Sequence, residues 1–75
     1  MSKYHRPTHI TEREQQVISL RADGMAGKEI AALLGLAETT VWEYQHRAMV
    51  KFGCRTIRGA IRRFKVERFR LHHNV

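Results

Sequence analysis

Hydrogen-bonding, charged and aromatic side chains crowd one short stretch of the chain, where Thr39, Thr40, Trp42, Glu43, His46, Arg47 and Lys51 follow one another closely. The chemistry open to this set is recognition rather than bond-making. A carboxylate such as Glu43 can accept from a cytosine amino group, His46 can donate to a purine N7 or O6, and the indole of Trp42 can pack on a thymine methyl. Lys28, Thr40, Arg47 and Lys51 have the charge or hydroxyl, and the reach, to hold phosphate. No nucleophile stands with a base, no carboxylate pair has an evident acid–base purpose, and no glycine loop cradles phosphate, so catalysis is not expected. His72-His73 lacks a carboxylate or cysteine at ligand spacing, and His5 and His9 fall on a polar arm with Pro7. Neither a metal nor a cofactor is expected. The single cysteine, Cys54, excludes an internal disulfide and a cysteine-based zinc cluster, and between Phe52 and Ile57 it reads as a small buried side chain.

The charge has a direction along the chain. The 75 residues carry a net charge of +7, but residues 1–41 balance Lys and Arg against Asp and Glu, and the whole excess lies in 42–75. That footprint suits a polyanion. A hydrophobic content of 43% describes a globular chain, and no apolar run approaches the roughly 20 residues needed to span a bilayer. The N-terminus lacks a signal-peptide core, so a cytoplasmic location with no membrane partner is expected.

These side chains need helices to position them. In GKEIAALLGLAETTVWEYQH, residues 27–46, Ile30, Ala31, Leu33 and Leu34 recur at helical spacing, and so do Val41, Tyr44 and Ala48. Between the two groups lies only Gly35-Leu36-Ala37. A short glycine-bearing turn between two amphipathic helices is a helix-turn-helix. Upstream, Thr11 with Glu14 predicts a capping box opening a helix that buries Val17 and Ile18 with help from Leu20, runs to about Ala22 and stops at Asp23-Gly24. The second helix runs from about Ala26-Gly27 to Gly35 and the third from about Glu38 to Phe52. Ala26 and Ala37 stand at both caps where a serine or aspartate would bond free N–H groups, each at about 1 kcal/mol. Gly53 ends the third helix. A fourth begins near Arg55 or Thr56 and buries the stripe Ile57, Ala60, Ile61 and Phe64. The expected plan is all-α: a polar arm at 1–9, a four-helix domain at 10–65, and a basic end at 66–75 that extends the fourth helix or hangs as a tail.

Counting 100° per residue along the third helix puts Val41, Tyr44, Ala48 and Phe52 on one side, toward the core. Thr39, Trp42, Glu43, His46 and Val50 fall on the other, with Thr40 and Arg47 on its flank. That outer side is the candidate for base contact. Plainer readings stand beside it: Trp42 as a half-buried packing residue, Glu43 as a solvent-facing charge, and Lys51 as a solvated helix end.

The segment ITEREQQVISLRADGMAGKEIAALLGLAETTVWEYQHRAMVKFG resembles the DNA-binding domain of LuxR-type (NarL/FixJ/GerE-like) regulators, most specifically in T-E-R-E, K-E-I-A, T-V and K-F-G. The resemblance runs from Ile10 to about Ile61, and the length is similar to that of stand-alone members. It implies double-stranded DNA as partner, a third helix in the major groove, base contacts at Trp42, Glu43 and His46 with Thr39 nearby, a homodimer through the fourth helix, and a bacterial or phage origin. The dimer interface is expected at Ile57, Ala60, Ile61 and Phe64. The chain departs from the family pattern at Ala26-Gly27 (usually Ser-Asn), Ala37 (usually serine), Trp42 (usually lysine) and Tyr44 (usually histidine). The promoter-reading region of sigma factors is the second resemblance. Two functions follow as expectations: a sequence-specific transcription regulator, or a small adaptor that binds RNA polymerase, a sigma factor or another regulator through the exposed face around Trp42.

Overall fold

The computed structural model describes residues 10–73, with side chains as far as Phe69. The expected polar arm at 1–9, with its Lys3, Arg6, His5 and His9, lies outside the described residues. The described chain forms four helices, α1 (Glu12–Ala22), α2 (Gly27–Leu34), α3 (Glu38–Lys51) and α4 (Ile57–His73), and no strand.

The helix boundaries follow from local chemistry. Glu14 N–H donates to Thr11 Oγ1 at 3.1 Å and Thr11 N–H donates to Glu14 Oε1 at 2.9 Å, so the capping box opens α1. Gly35 takes φ 70°, a left-handed conformation that costs a side-chain-bearing residue energy. It lets Leu36 N–H reach back to Ala31 O at 2.9 Å and close α2. The same return bond closes α1, from Met25 N–H to Leu20 O, and α3, from Cys54 N–H to Met49 O. Thr56 caps α4, its Oγ1 accepting from Gly59 N–H at 3.0 Å. From there α4 continues beyond residue 65 to His73, so the basic end extends the helix.

Two apolar clusters hold the helices. One joins α1, α3 and α4 through Ile18, Ala22, Ala48, Phe52, Ala60 and Phe64. The Phe52 and Phe64 rings meet edge to face with centroids 6.4 Å apart. The other joins α1, α2 and α3 through Val17, Ile30, Ala31 and Val41, with Leu34, Leu36 and Tyr44 packed around it. α1 and α3 contribute to both. This use of α4 narrows one expectation: Ala60 and Phe64 are buried in the chain's own core, while Ile57 and Ile61 pack against it and remain partly exposed.

Between α1 and α3 lies one buried charge. Glu14 is 2% exposed, one turn before Val17 and Ile18, and Lys51 Nζ donates to its Oε1 at 2.7 Å. Burial pushes the Glu14 carboxyl up, but the hydrogen bonds from Lys51 and from the Thr11 backbone outweigh it and leave its pKa below the ordinary carboxylate value. At the other end of the domain Arg68 Nη1 lies 3.4 Å from Asp23 Oδ1, tying α4 to the turn after α1.

Because its folded pKa is depressed, Glu14 contributes stability that is complete above the unfolded carboxylate value of about 4.3 and is lost as pH falls through the lowered folded value. Glu14→Gln is therefore expected to destabilise the domain by about 1–3 kcal/mol near neutral pH, and by progressively less as pH falls through the lowered folded value. Urea titrations of both proteins from neutral pH down through the acid range check this. A difference that stays constant until the domain unfolds would remove the charged pair from the account.

Candidate nucleic-acid interface

The two sides of α3 differ sharply. Val41 and Ala48 are buried and Tyr44 is half-buried on the inside. On the outside Thr39, Trp42, Glu43, His46, Arg47 and Val50 are all exposed, with Trp42 at 58% and Val50 at 61%. Nothing in the domain's own packing requires an indole there, so the half-buried reading of Trp42 does not hold.

Trp42 and His46 stand one turn apart and stack, with ring centroids 5.0 Å apart and planes inclined by 13°. The stack holds both rings against the helix, so the imidazole covers part of the indole and the pair presents one flat surface. Beside it the Arg47 guanidinium sits 5.8 Å from the centre of the Tyr44 ring, within range of a cation–π contact. That contact holds a flexible cation on the flank of the outer side. Thr40 is half-buried in the first turn of α3, and Lys28 is exposed in the first turn of α2.

Lys51 stands apart from this group. Its ammonium is directed at buried Glu14 and its side chain is 31% exposed, so it is committed to the interior of the fold. The expected phosphate contact at Lys51 would therefore have to share an ammonium that already serves Glu14. The reason lies in α1: the capping box draws Glu14 inward, and a buried carboxylate requires a cation at hydrogen-bonding distance.

Arg21 was not anticipated. It stands in the last turn of α1 and lines a shallow cleft with Gly27, Glu38, Thr39, Trp42 and Gln45. Its Nη1 donates to Met25 O at 3.4 Å, while its buried Nε and the buried Gln45 Oε1 have no partner among the described residues. A cation two residues before Asp23-Gly24, immediately ahead of the helix-turn-helix, was the available signal. The starts of α2 and α3 border the same cleft. Ala26 and Ala37 provide no side-chain cap, and only the return half of a box is present at α2, where Ala26 N–H donates to Glu29 Oε1 at 2.8 Å.

Among the described residues no group of three or more His, Cys, Asp and Glu could hold a metal ion, and no helix is long and apolar enough to cross a membrane. Two helices joined by a tight glycine turn, the second with an apolar inner side and an exposed polar outer side, define a helix-turn-helix domain. Residues 8–64 match the bacterial regulatory proteins, luxR family, and the chain belongs to that family. It is 43% identical over 53 residues to nodulation protein W of Bradyrhizobium diazoefficiens, a match covering 71% of this chain and 23% of that protein. It is 50% identical over 44 residues to the transcriptional regulatory protein UhpA of Escherichia coli, covering 59% of this chain and 22% of that one. The chain thus spans under a quarter of the length of these curated relatives. No solved structure matches it significantly.

The missing caps generate a stability prediction. Ala26→Ser would complete the box with Glu29, and Ala37→Ser would supply an acceptor at the start of α3. Each is expected to add about 1 kcal/mol, which raises the melting temperature of a domain this size by about 4–8 °C. Circular dichroism melts measure it directly. Unchanged midpoints would mean that the N–H groups at these starts are already satisfied.

Proposed function

We propose that the chain is a sequence-specific double-stranded DNA-binding transcription regulator that reads the major groove with the outer side of α3. One observation carries the reading: Thr39, Trp42, Glu43, His46 and Arg47 stand exposed on a helix whose opposite side is apolar and packed, within a luxR-family helix-turn-helix. A helix of this kind fits a major groove about 12 Å wide, where each base pair presents a distinct set of donors and acceptors. The printed description of UhpA as a transcriptional regulatory protein supports the regulatory role.

In this reading Glu43 accepts from a cytosine amino group, His46 donates to a purine, Trp42 packs its exposed edge on a thymine methyl, and Thr39 reaches a neighbouring base edge. Lys28, Thr40 and Arg47 hold phosphate, and Arg21 joins them from the end of α1. A regulator of this kind works on the nucleoid, in the cytoplasm. Two copies would occupy half-sites about 10 base pairs apart, or a multiple of that spacing. Pairing through α4 remains part of this reading: Ala60 and Phe64 lie in the core, while the partly exposed Ile57 and Ile61 beside it are open to a second copy.

A second reading rests on the 58% exposure of Trp42, since tryptophan is enriched among residues that dominate protein interfaces. In that reading the same face docks RNA polymerase, a sigma factor or another regulator. Salt separates the two, because neutralising phosphates releases counterions.

Selection from a random duplex pool is expected to enrich a two-fold symmetric motif, and log affinity for it should fall against log salt with a slope of about −5 for some six neutralised phosphates. Salt-indifferent binding, or none at low salt, would favour the adaptor. Arg47→Ala should weaken binding to all sequences alike and reduce the slope by about 1, whereas Trp42→Ala should change which sequences are enriched. A Trp42→Ala protein with unaltered preference would remove Trp42 from base reading.

A further inference from the structure

On the outer side of α3, Glu43 is the residue whose charge opposes its expected partner. The chain carries a net charge of +7, suited to a polyanion, yet Glu43 stands exposed between Trp42 and Tyr44. Helical spacing would let Arg47, four residues on, neutralise it. Instead the Arg47 guanidinium lies over the Tyr44 ring, and Glu43 makes no ion pair or hydrogen bond among the described residues. A carboxylate left free beside a duplex weakens binding unless a base donor meets it. In the major groove only adenine and cytosine present an amino donor. Adenine sets its N7 acceptor next to that amino group, against the second carboxylate oxygen, whereas cytosine has the apolar C5 edge there. Glu43 therefore selects cytosine, and the side chains next to Glu43 decide what is read at C5.

Those side chains are the Trp42–His46 stack. His46 follows Glu43 by three residues, a spacing at which side chains on a helix are neighbours, and Trp42 precedes it by one. The two rings lie 5.0 Å apart at 13°, and Trp42 is 58% exposed. The stack holds the indole in place before any ligand arrives, so little side-chain freedom is lost when it meets an apolar group. A carboxylate beside a flat apolar surface matches a pyrimidine with an amino group at C4 and a methyl group at C5. Thymine has the methyl but sets the O4 acceptor against the carboxylate. Plain cytosine has the amino group but no methyl. We propose that α3 reads 5-methylcytosine, the Glu43 carboxylate accepting from the N4 amino group and the edge of Trp42 covering the C5-methyl. The contact that Trp42 would make with a thymine methyl is the same contact, on the base that Glu43 also accepts. Methylation of one cytosine then raises occupancy of the site, and control is carried by the DNA rather than by a ligand of the protein. This specificity rests on α3 entering the major groove.

The test takes the duplex enriched from an unmethylated random pool and replaces each cytosine in turn by 5-methylcytosine, and separately by thymine paired with adenine. Binding of the full chain is followed by the anisotropy of a dye on the DNA. At one cytosine of the half-site, methylation should tighten binding about fourfold, the effect of burying one methyl group. Thymine at that position, with the same methyl, should bind about tenfold more weakly than 5-methylcytosine. Trp42→Ala should abolish the gain from methylation and keep the preference for cytosine over thymine. Glu43→Gln should lose that preference and keep the gain. Both side chains are exposed, and circular dichroism confirms that the variants fold. Methylation that tightens binding at no cytosine, a gain that survives in Trp42→Ala, or thymine binding as well as 5-methylcytosine would each overturn the proposal, while binding of the unmodified duplex leaves the DNA reading standing. Failure to bind any duplex at low salt would instead overturn the DNA reading and this specificity with it.

Discussion

A carboxylate removed from water keeps its charge only if hydrogen-bond donors replace the water, and in this domain that requirement falls on Glu14. Its Oε1 receives both the Lys51 ammonium and the Thr11 N–H, so one buried atom ties the start of α1 to the last turn of α3. The apolar contacts act along the same line. Val41 anchors the first half of α3 in one cluster, and Ala48 and Phe52 anchor the second half in the other. α3 is thus held from behind near both ends. Nothing in the fold draws on its outer side, and polar or aromatic residues can stand there without disturbing the core.

Features set by neighbouring residues were legible in the sequence. The Thr11–Glu14 box, the stop at Gly35 and the inward phase of Val41 and Ala48 depend on side chains within a few positions of one another, and each appears where the spacing puts it. What depended on distant partners was not. Lys51 looked like a solvated or phosphate-binding cation because its partner lies 37 residues away and already had a visible role in the cap. The stripe of α4 was assigned both to the core and to a second copy, and periodicity alone cannot say which body covers an apolar face. The start of α4 was legible to within a residue or two, near Arg55 or Thr56, and the Thr56 hydroxyl is what fixes it.

The outer side of α3 was legible as a side, because helical phase follows from counting. Its internal arrangement was not. The Trp42–His46 stack depends on the rotamers the two side chains adopt, and the approach of Arg21 depends on how the end of α1 meets the starts of α2 and α3. Both arise from packing between residues whose separation in sequence does not specify their contact. Of the residues at which the chain departs from the family pattern, Gly27 and Trp42 line this surface, while Tyr44 packs on the inner side of α3.

Trp42 also decides how the molecule can be watched. It is the chain's one tryptophan, and neither apolar cluster contains an indole. Ultraviolet emission from this protein therefore has a single tryptophan source, stacked on an imidazole and open to solvent, on the surface of α3. It is an optical probe of that surface and a poor one of the interior. Loss of the core would register only as the release of Trp42 from His46, so an emission curve and a backbone dichroism curve follow different events. Tryptophan emission is an instrument for occupancy of α3, and the folding of the domain has to be followed by other light.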